Sequence, residues 1–172
     1  MNTGKKLLWY LLLVVALFVT ASCSQKPPEK GAELLPTTQH AVVNPNETEL
    51  VRLRDLSSIA FALEKYKRKY NQYPMSSNRG RNWDGLYSNF GESKKNWIEG
   101  LVPDFMANLP RDPRMSDSGL HQYLYKSNGA NYKLISHSPD DCGDVLKIFP
   151  KLIDPKRNCW AYGYWTPRAV NW

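Results

Sequence analysis

Histidine and cysteine are scarce in this chain, three of each in 172 residues, and the scarcity excludes much chemistry. His40, His121 and His137 come without a Gly-x-Ser-x-Gly elbow or a His-Glu-x-x-His helix, so no hydrolase or metalloprotease signature is present. His137 beside Ser138 and near Asp140 has the residue types of a triad, but triads assemble from separated segments rather than from neighbours. There is no glycine-rich phosphate loop, no helix-turn-helix signal and no internal repeat. These absences lead us to expect a protein that is not an enzyme, holds no cofactor and has no nucleic-acid partner. A membrane-spanning run is also missing. The longest apolar stretch, Leu7 to Ser22, has about 16 residues, where a crossing needs about 20.

That stretch is informative for another reason. Lys5 and Lys6 precede it, and the small residues Thr20-Ala21-Ser22 close it just before Cys23. A basic start, an apolar centre and a small-residue end make a secretory leader. With a cysteine directly after it, the segment resembles a bacterial lipoprotein signal, which implies cleavage after residue 22 and a lipid on the Cys23 thiol. Thr20 stands where the usual lipobox has Leu, Val or Ile. An uncleaved anchor and ordinary secretion are the other readings, and all three put the remaining chain outside the cytoplasm. Ser24 is compatible with sorting to the outer membrane, so the expected location is the bacterial cell envelope, membrane-anchored, with the outer membrane favoured.

About 150 residues follow the leader, enough for one domain with its own core. The formal charge of the whole chain is +7, and the two leader lysines leave the remainder still basic. The cations cluster at Lys65 to Lys69, Arg79 with Arg81, Lys94-Lys95 and Lys156-Arg157. Such an exterior suits anionic partners or simply a solvated cationic surface. With Cys23 assigned to the lipid, Cys142 and Cys159 remain as two thiols in an oxidising compartment, and a disulfide between them is expected. Metal ligation by the pair lacks nearby histidines.

Residues 23–43 read as a proline-bearing, polar tether. Asn44-Pro45-Asn46-Glu47 carries a helix-start signature. Apolar residues then recur at Leu50, Leu53, Leu56, Ile59, Leu63, Tyr66 and Tyr70, the spacing of one helical face. Tyr73-Pro74 should end this helix of about 28 residues. Met75 to Asn96 reads as loop, held to the core by Trp83, Leu86, Tyr87 and Phe90, and a short helix is expected at Trp97 to Met106. Strands are expected at His121–Lys126 and Asn131–Ser136, joined through Asn128-Gly129, and again at Cys159–Trp165.

The order of these pieces carries a second resemblance. Arg52-x-x-Asp55-Leu56-x-x-Ile59-x-x-Ala62-Leu63-x-x-Tyr66 precedes Tyr73-Pro74. Leu109-Pro110-x-Asp112-Pro113 follows, then Tyr123-x-Tyr125-x-Ser127 and Tyr132-x-Leu134. This resembles the soluble domain of the major pseudopilin of type II secretion systems and, more broadly, type IV pilin-like proteins, over about half the chain. The resemblance implies an α+β fold, a long N-terminal helix packed on a small antiparallel β-sheet, within a domain spanning 44–172. It also implies partners in secretion or pilus machinery, and a C-terminal disulfide would suit it. Two family features are missing. The prepilin-peptidase site and the hydrophobic half of the helix, by which relatives polymerise, give way here to Cys23 and the tether.

A further departure from the family concerns calcium. The family binds Ca²⁺ in a late glycine-rich loop, and the corresponding stretch here offers Asp140, Asp141 and Asp144 without those glycines. Calcium ligation and a plain acidic turn are the two readings. The C-terminal strand leaves a further pair open. Trp160, Tyr162, Tyr164 and Trp165, near Lys156 and Arg157, form either a binding platform for envelope glycan or anionic polymer, or one wall of the core.

Overall fold

The computed structural model describes residues 46–89, 91–115 and 119–172. The leader, Cys23, the tether, Asn44, Pro45 and Phe90 lie outside the described residues. The first described element is helix α1, Glu47–Tyr70. Its cap is Asn46, whose side-chain oxygen accepts from the Glu49 amide at 3.0 Å, an arrangement worth about 1 kcal/mol. The helix stops at Asn71, which adopts the left-handed conformation at φ 56°, a few residues before the Tyr73-Pro74 stop expected from sequence. Glu47 and Glu49 occupy the first turn and Lys67, Arg68 and Lys69 the last, each sign matched to the helix dipole.

Five antiparallel strands form one sheet in the order β1-β2-β3-β5-β4. They are β1 (Asp84–Gly85), β2 (Gln122–Ser127), β3 (Tyr132–His137), β4 (Ile153–Asp154) and β5 (Asn158–Trp165). The fold is therefore α+β, as the element order implied. The β2–β3 hairpin turns through Asn128, whose side-chain oxygen accepts from the amides of Ala130 and Asn131, and Gly129 at φ 84°. At Gly163 in β5 an added Cβ would fall 2.0 Å from the Leu134 carbonyl oxygen, so only glycine lets β5 lie this close to β3.

The main core lies between α1 and one face of the sheet. Leu56, Ile59, Ala62 and Leu63 of α1 meet Tyr123, Tyr125, Tyr132, Leu134 and Tyr162. Leu50 and Tyr70, counted on the apolar stripe, are about half exposed, and Glu49 and Arg52 are fully buried in their stead. The opposite face carries a smaller cluster of Leu124, Ile135 and Ala161 with Trp83 against it. Strand alternation puts Leu124 and Lys126, then Lys133 and Ile135, on this second face.

Two expectations are corrected. Trp97 to Met106 forms turns, not a helix. Gly100 takes φ 76° there, and Pro103 has no amide to donate. Trp97, Ile98 and Leu101 nonetheless hold the long loop to the core, each at most 3 % exposed. The stretch after Ser138, read as an acidic turn, instead contains helix α2, Cys142–Ile148, capped by Asp141. Among the described residues no helix is long and apolar enough to cross a membrane.

Candidate functional site

Cys142 and Cys159 form the expected disulfide. It joins the start of α2 to the start of β5. The loop ahead of it, Pro139 to Asp141, is held from beneath by α1. The Glu49 carboxylate is fully buried and its Oε1 accepts from the amides of Asp140 and Asp141, both at 3.0 Å. The same oxygen accepts from Arg52 Nη1 at 2.6 Å, and Oε2 accepts from the Tyr162 hydroxyl. Arg52, also fully buried, donates from Nε and Nη2 to both oxygens of Asp112 at 2.8 and 2.9 Å. Its Nη1 also reaches Asp140 Oδ2 at 2.9 Å, and Arg114 Nη1 donates to the other Asp140 oxygen at 2.6 Å.

This cluster ties four distant segments together: α1, the Asp112 loop, the Asp140 loop and β5. Burial works against the charge on Arg52. The hydrogen bonds and attraction of Asp112, with help from Glu49 and Asp140, more than offset it, so its pKa lies above the ordinary guanidinium value. The Tyr162 hydroxyl is likewise held above its usual value, by burial first and then by Glu49. Every charge has partners of good geometry, which is the condition for tolerating buried ions.

The cluster bears directly on the calcium reading. Asp140 pairs with two arginines, Asp141 accepts from the Asp144 amide as the cap of α2, and Asp144 pairs with Lys147. The loop also turns two amide donors inward, toward Glu49, where a cation would require oxygens. Among the described residues no group of three or more histidine, cysteine or acidic side chains is arranged to hold a metal ion. His137 and Ser138 are not brought together with Asp140 as a triad either: His137 Nδ1 pairs with the Leu120 carbonyl oxygen at 2.9 Å.

The four aromatic residues of β5 do not make one platform. Tyr162 is fully buried in the main core, and Tyr164 packs partly buried against it. Trp160 shares their side of the strand but is 65 % exposed, because it lies past the last β3–β5 pair, His137 with Ala161. Trp165 faces the other way, with Lys133 Nζ 4.9 Å from its ring centre. The helix covers one side of β5, so alternation divides the row between core and surface.

A charged cluster absent from the sequence reading occupies the second face. Lys126 and Lys133 are direct cross-strand neighbours, and Lys133 is opposite Trp165. Lys133 is fully buried and donates to Asp154 Oδ1 at 2.8 Å and to the Val170 carbonyl oxygen at 2.7 Å. Arg157 Nη1 reaches Asp154 Oδ2 and the Trp172 main-chain oxygen at 2.7 and 2.8 Å. Its guanidinium lies 4.8 Å from the Trp83 ring centre. Lys126 Nζ sits 5.9 Å from the Trp83 ring and 5.6 Å from that of Trp172. The legible signal was register: counting outward from the Asn128-Gly129 turn puts the two lysines opposite each other.

Compared with known protein families, curated proteins and solved structures, the chain has no match in any of the three.

Proposed function

We propose that this chain is a lipid-anchored, non-enzymatic envelope protein. In this reading its pilin-like head serves as an accessory or interaction component related to type II secretion or type IV pilus-like systems. The observation that carries the reading is the architecture: a 24-residue helix laid across an antiparallel sheet, with a disulfide closing the region before the last long strand. A long helix with an antiparallel sheet is what the motif order implied, and the disulfide suits the same reading. The leader ending at Cys23 supplies the anchor in this reading and takes the place of the hydrophobic half-helix used for polymerisation. The head is then tethered and does not assemble into a fibre.

The test is crosslinking in living cells followed by recovery of the lipidated chain. A secretion or pilus component among the crosslinked proteins is expected, and its loss in Cys23→Ser, together with loss of lipid labelling, supports the anchor. Full lipid labelling of Cys23→Ser contradicts it. A second reading, a surface protein that binds envelope glycan or anionic polymer, is favoured by one observation. Cations and indole rings interleave on the second sheet face.

A further inference from the structure

Four cations, Lys126, Lys133, Lys156 and Arg157, share the second face with one side-chain carboxylate, Asp154, while the main-chain oxygens of Val170, Asn171 and Trp172 also accept from Lys133, Lys156 and Arg157. Asp154 is fully buried and already accepts from Lys133, Arg157 and the Lys156 amide. Lys126 therefore stands without a counter-ion: among the described residues no carboxylate pairs with it. It lies opposite another lysine across the hairpin, a placement that ordinarily destabilises a sheet. Partial burial, and then repulsion from Arg157 and Lys156, hold its pKa below the ordinary lysine value. The half-buried rings of Trp83 and Trp172 lie within 6 Å of its ammonium. An unneutralised cation kept between two indoles breaks the local rules in the manner of a binding site.

We propose that this face binds an acidic sugar, its negative group seated among Lys126, Lys156 and Arg157 and its ring against Trp83 or Trp172. An anion there would relieve the repulsion among the three cations, and Arg157 would bring a planar fork of donors suited to carboxylate or phosphate. Aromatic rings favour the apolar face of a pyranose, and the partial burial of Lys126 and Arg157 keeps their charges from being fully screened. Two rings, each already close to a cation, do not make the row of stacking surfaces that single-stranded nucleic acid uses. The proposal deepens the glycan-binding reading and rests on it, and it is independent of the pilin-like one.

The experiment is calorimetric titration of the full chain in detergent with four probes. They are an oligogalacturonide, glucose 6-phosphate, a neutral cello-oligosaccharide and oligothymidylate. Binding of the oligogalacturonide, the sugar phosphate or both, weakened by salt, supports the site, and the preferred probe shows whether the anion is carboxylate or phosphate. The double variant Lys126→Gln, Lys156→Gln should weaken it by about tenfold or more, the loss of charge-assisted contacts. Lys65→Gln, on the helix across the sheet, should leave it unchanged. Neither lysine side chain is buried in an ion pair, so the double variant should fold, and circular dichroism checks that it does. Unchanged affinity in a folded double variant overturns the site while leaving glycan binding standing. No binding of either acidic sugar overturns the proposal, and no binding of the neutral sugar as well overturns the glycan reading with it. Equal binding of the neutral sugar, or tighter binding of oligothymidylate, overturns the assignment of ligand class.

Discussion

The two faces of the sheet each carry buried charge, and they treat it in opposite ways. On the helix side three carboxylates, Glu49, Asp112 and Asp140, surround two arginines. The surplus negative charge there is absorbed by the Tyr162 hydroxyl and the amides of Asp140 and Asp141. On the second face four cations meet one side-chain carboxylate; main-chain oxygens of Val170, Asn171 and Trp172 accept from Lys133, Lys156 and Arg157, and Lys126 meets only indole rings. Two clusters of similar size in one small domain thus have different consequences. A saturated cluster locks segments together; an unsaturated one at a half-open surface keeps a charge available.

Breaking the saturated cluster should have the largest effect. Arg52→Met leaves Glu49, Asp112 and Asp140 facing one another without their shared cation. We expect a loss of about 3–5 kcal/mol in urea unfolding, the range for removing one partner of a buried ion pair. A loss under about 1 kcal/mol would mean the cluster is not what holds the Asp140 loop to α1. Disulfide removal by Cys142→Ser with Cys159→Ser comes next, at about 3 kcal/mol for a loop of this length. The Asp140 loop should loosen first in hydrogen exchange, since only its hydrogen bonds to Glu49, Arg52 and Arg114 then hold it.

Asp154→Asn sharpens the comparison from the other side. It removes the counter-charge of the fully buried Lys133, leaving it only uncharged side-chain and main-chain oxygens as acceptors, and about 2–3 kcal/mol should be lost. Burial of Asp154 is outweighed by Lys133, Arg157 and the Lys156 amide, so its carboxyl is held below the usual range. With the folded pKa below the unfolded one, its contribution is present above about pH 4 and is lost as pH falls through the lowered folded value. The Asn variant should lack that acid-side loss. The smallest effect is expected for Lys126→Gln. The relief of repulsion roughly offsets two cation–π contacts, and stability should stay within about 0.5 kcal/mol of the parent. A Lys126 variant as damaged as the Arg52 variant would erase the distinction between the faces.

Much of the fold could be read from local signals. The helix announces itself through Leu56, Ile59 and Leu63 at helical spacing, and the hairpin through Asn128-Gly129 between two aromatic runs. The disulfide follows from counting thiols. Elsewhere local signals misled. The helix expected over Trp97 to Met106 is absent: Gly100 and Pro103 interrupt it, and Trp97, Ile98 and Leu101 serve instead as anchors of an irregular loop. Helix α2 is seven residues long, too short for periodicity to register, and its capping Asp141 reads from sequence as part of an acidic turn or as a calcium ligand. The site was less legible than the fold. Glu49 and Arg52 look like ordinary solvent-facing helix residues until Asp112 and Asp140, some 60 and 88 positions from Arg52, close over them. Trp160, Tyr162, Tyr164 and Trp165 read equally as a platform or as one wall of the core because alternation in a strand gives side, not burial. Tyr162 became core once α1 covered that side.

The contrast between the faces is tested most directly by the indole N–H resonances of the full chain during titration with an oligogalacturonide. Trp83 and Trp172 should shift in a saturable way while Trp97, in the helix-side core, and Trp160, at the exposed strand end, stay in place. A saturable shift of Trp160 with Trp83 and Trp172 unmoved would contradict the account and return the binding surface to the start of β5.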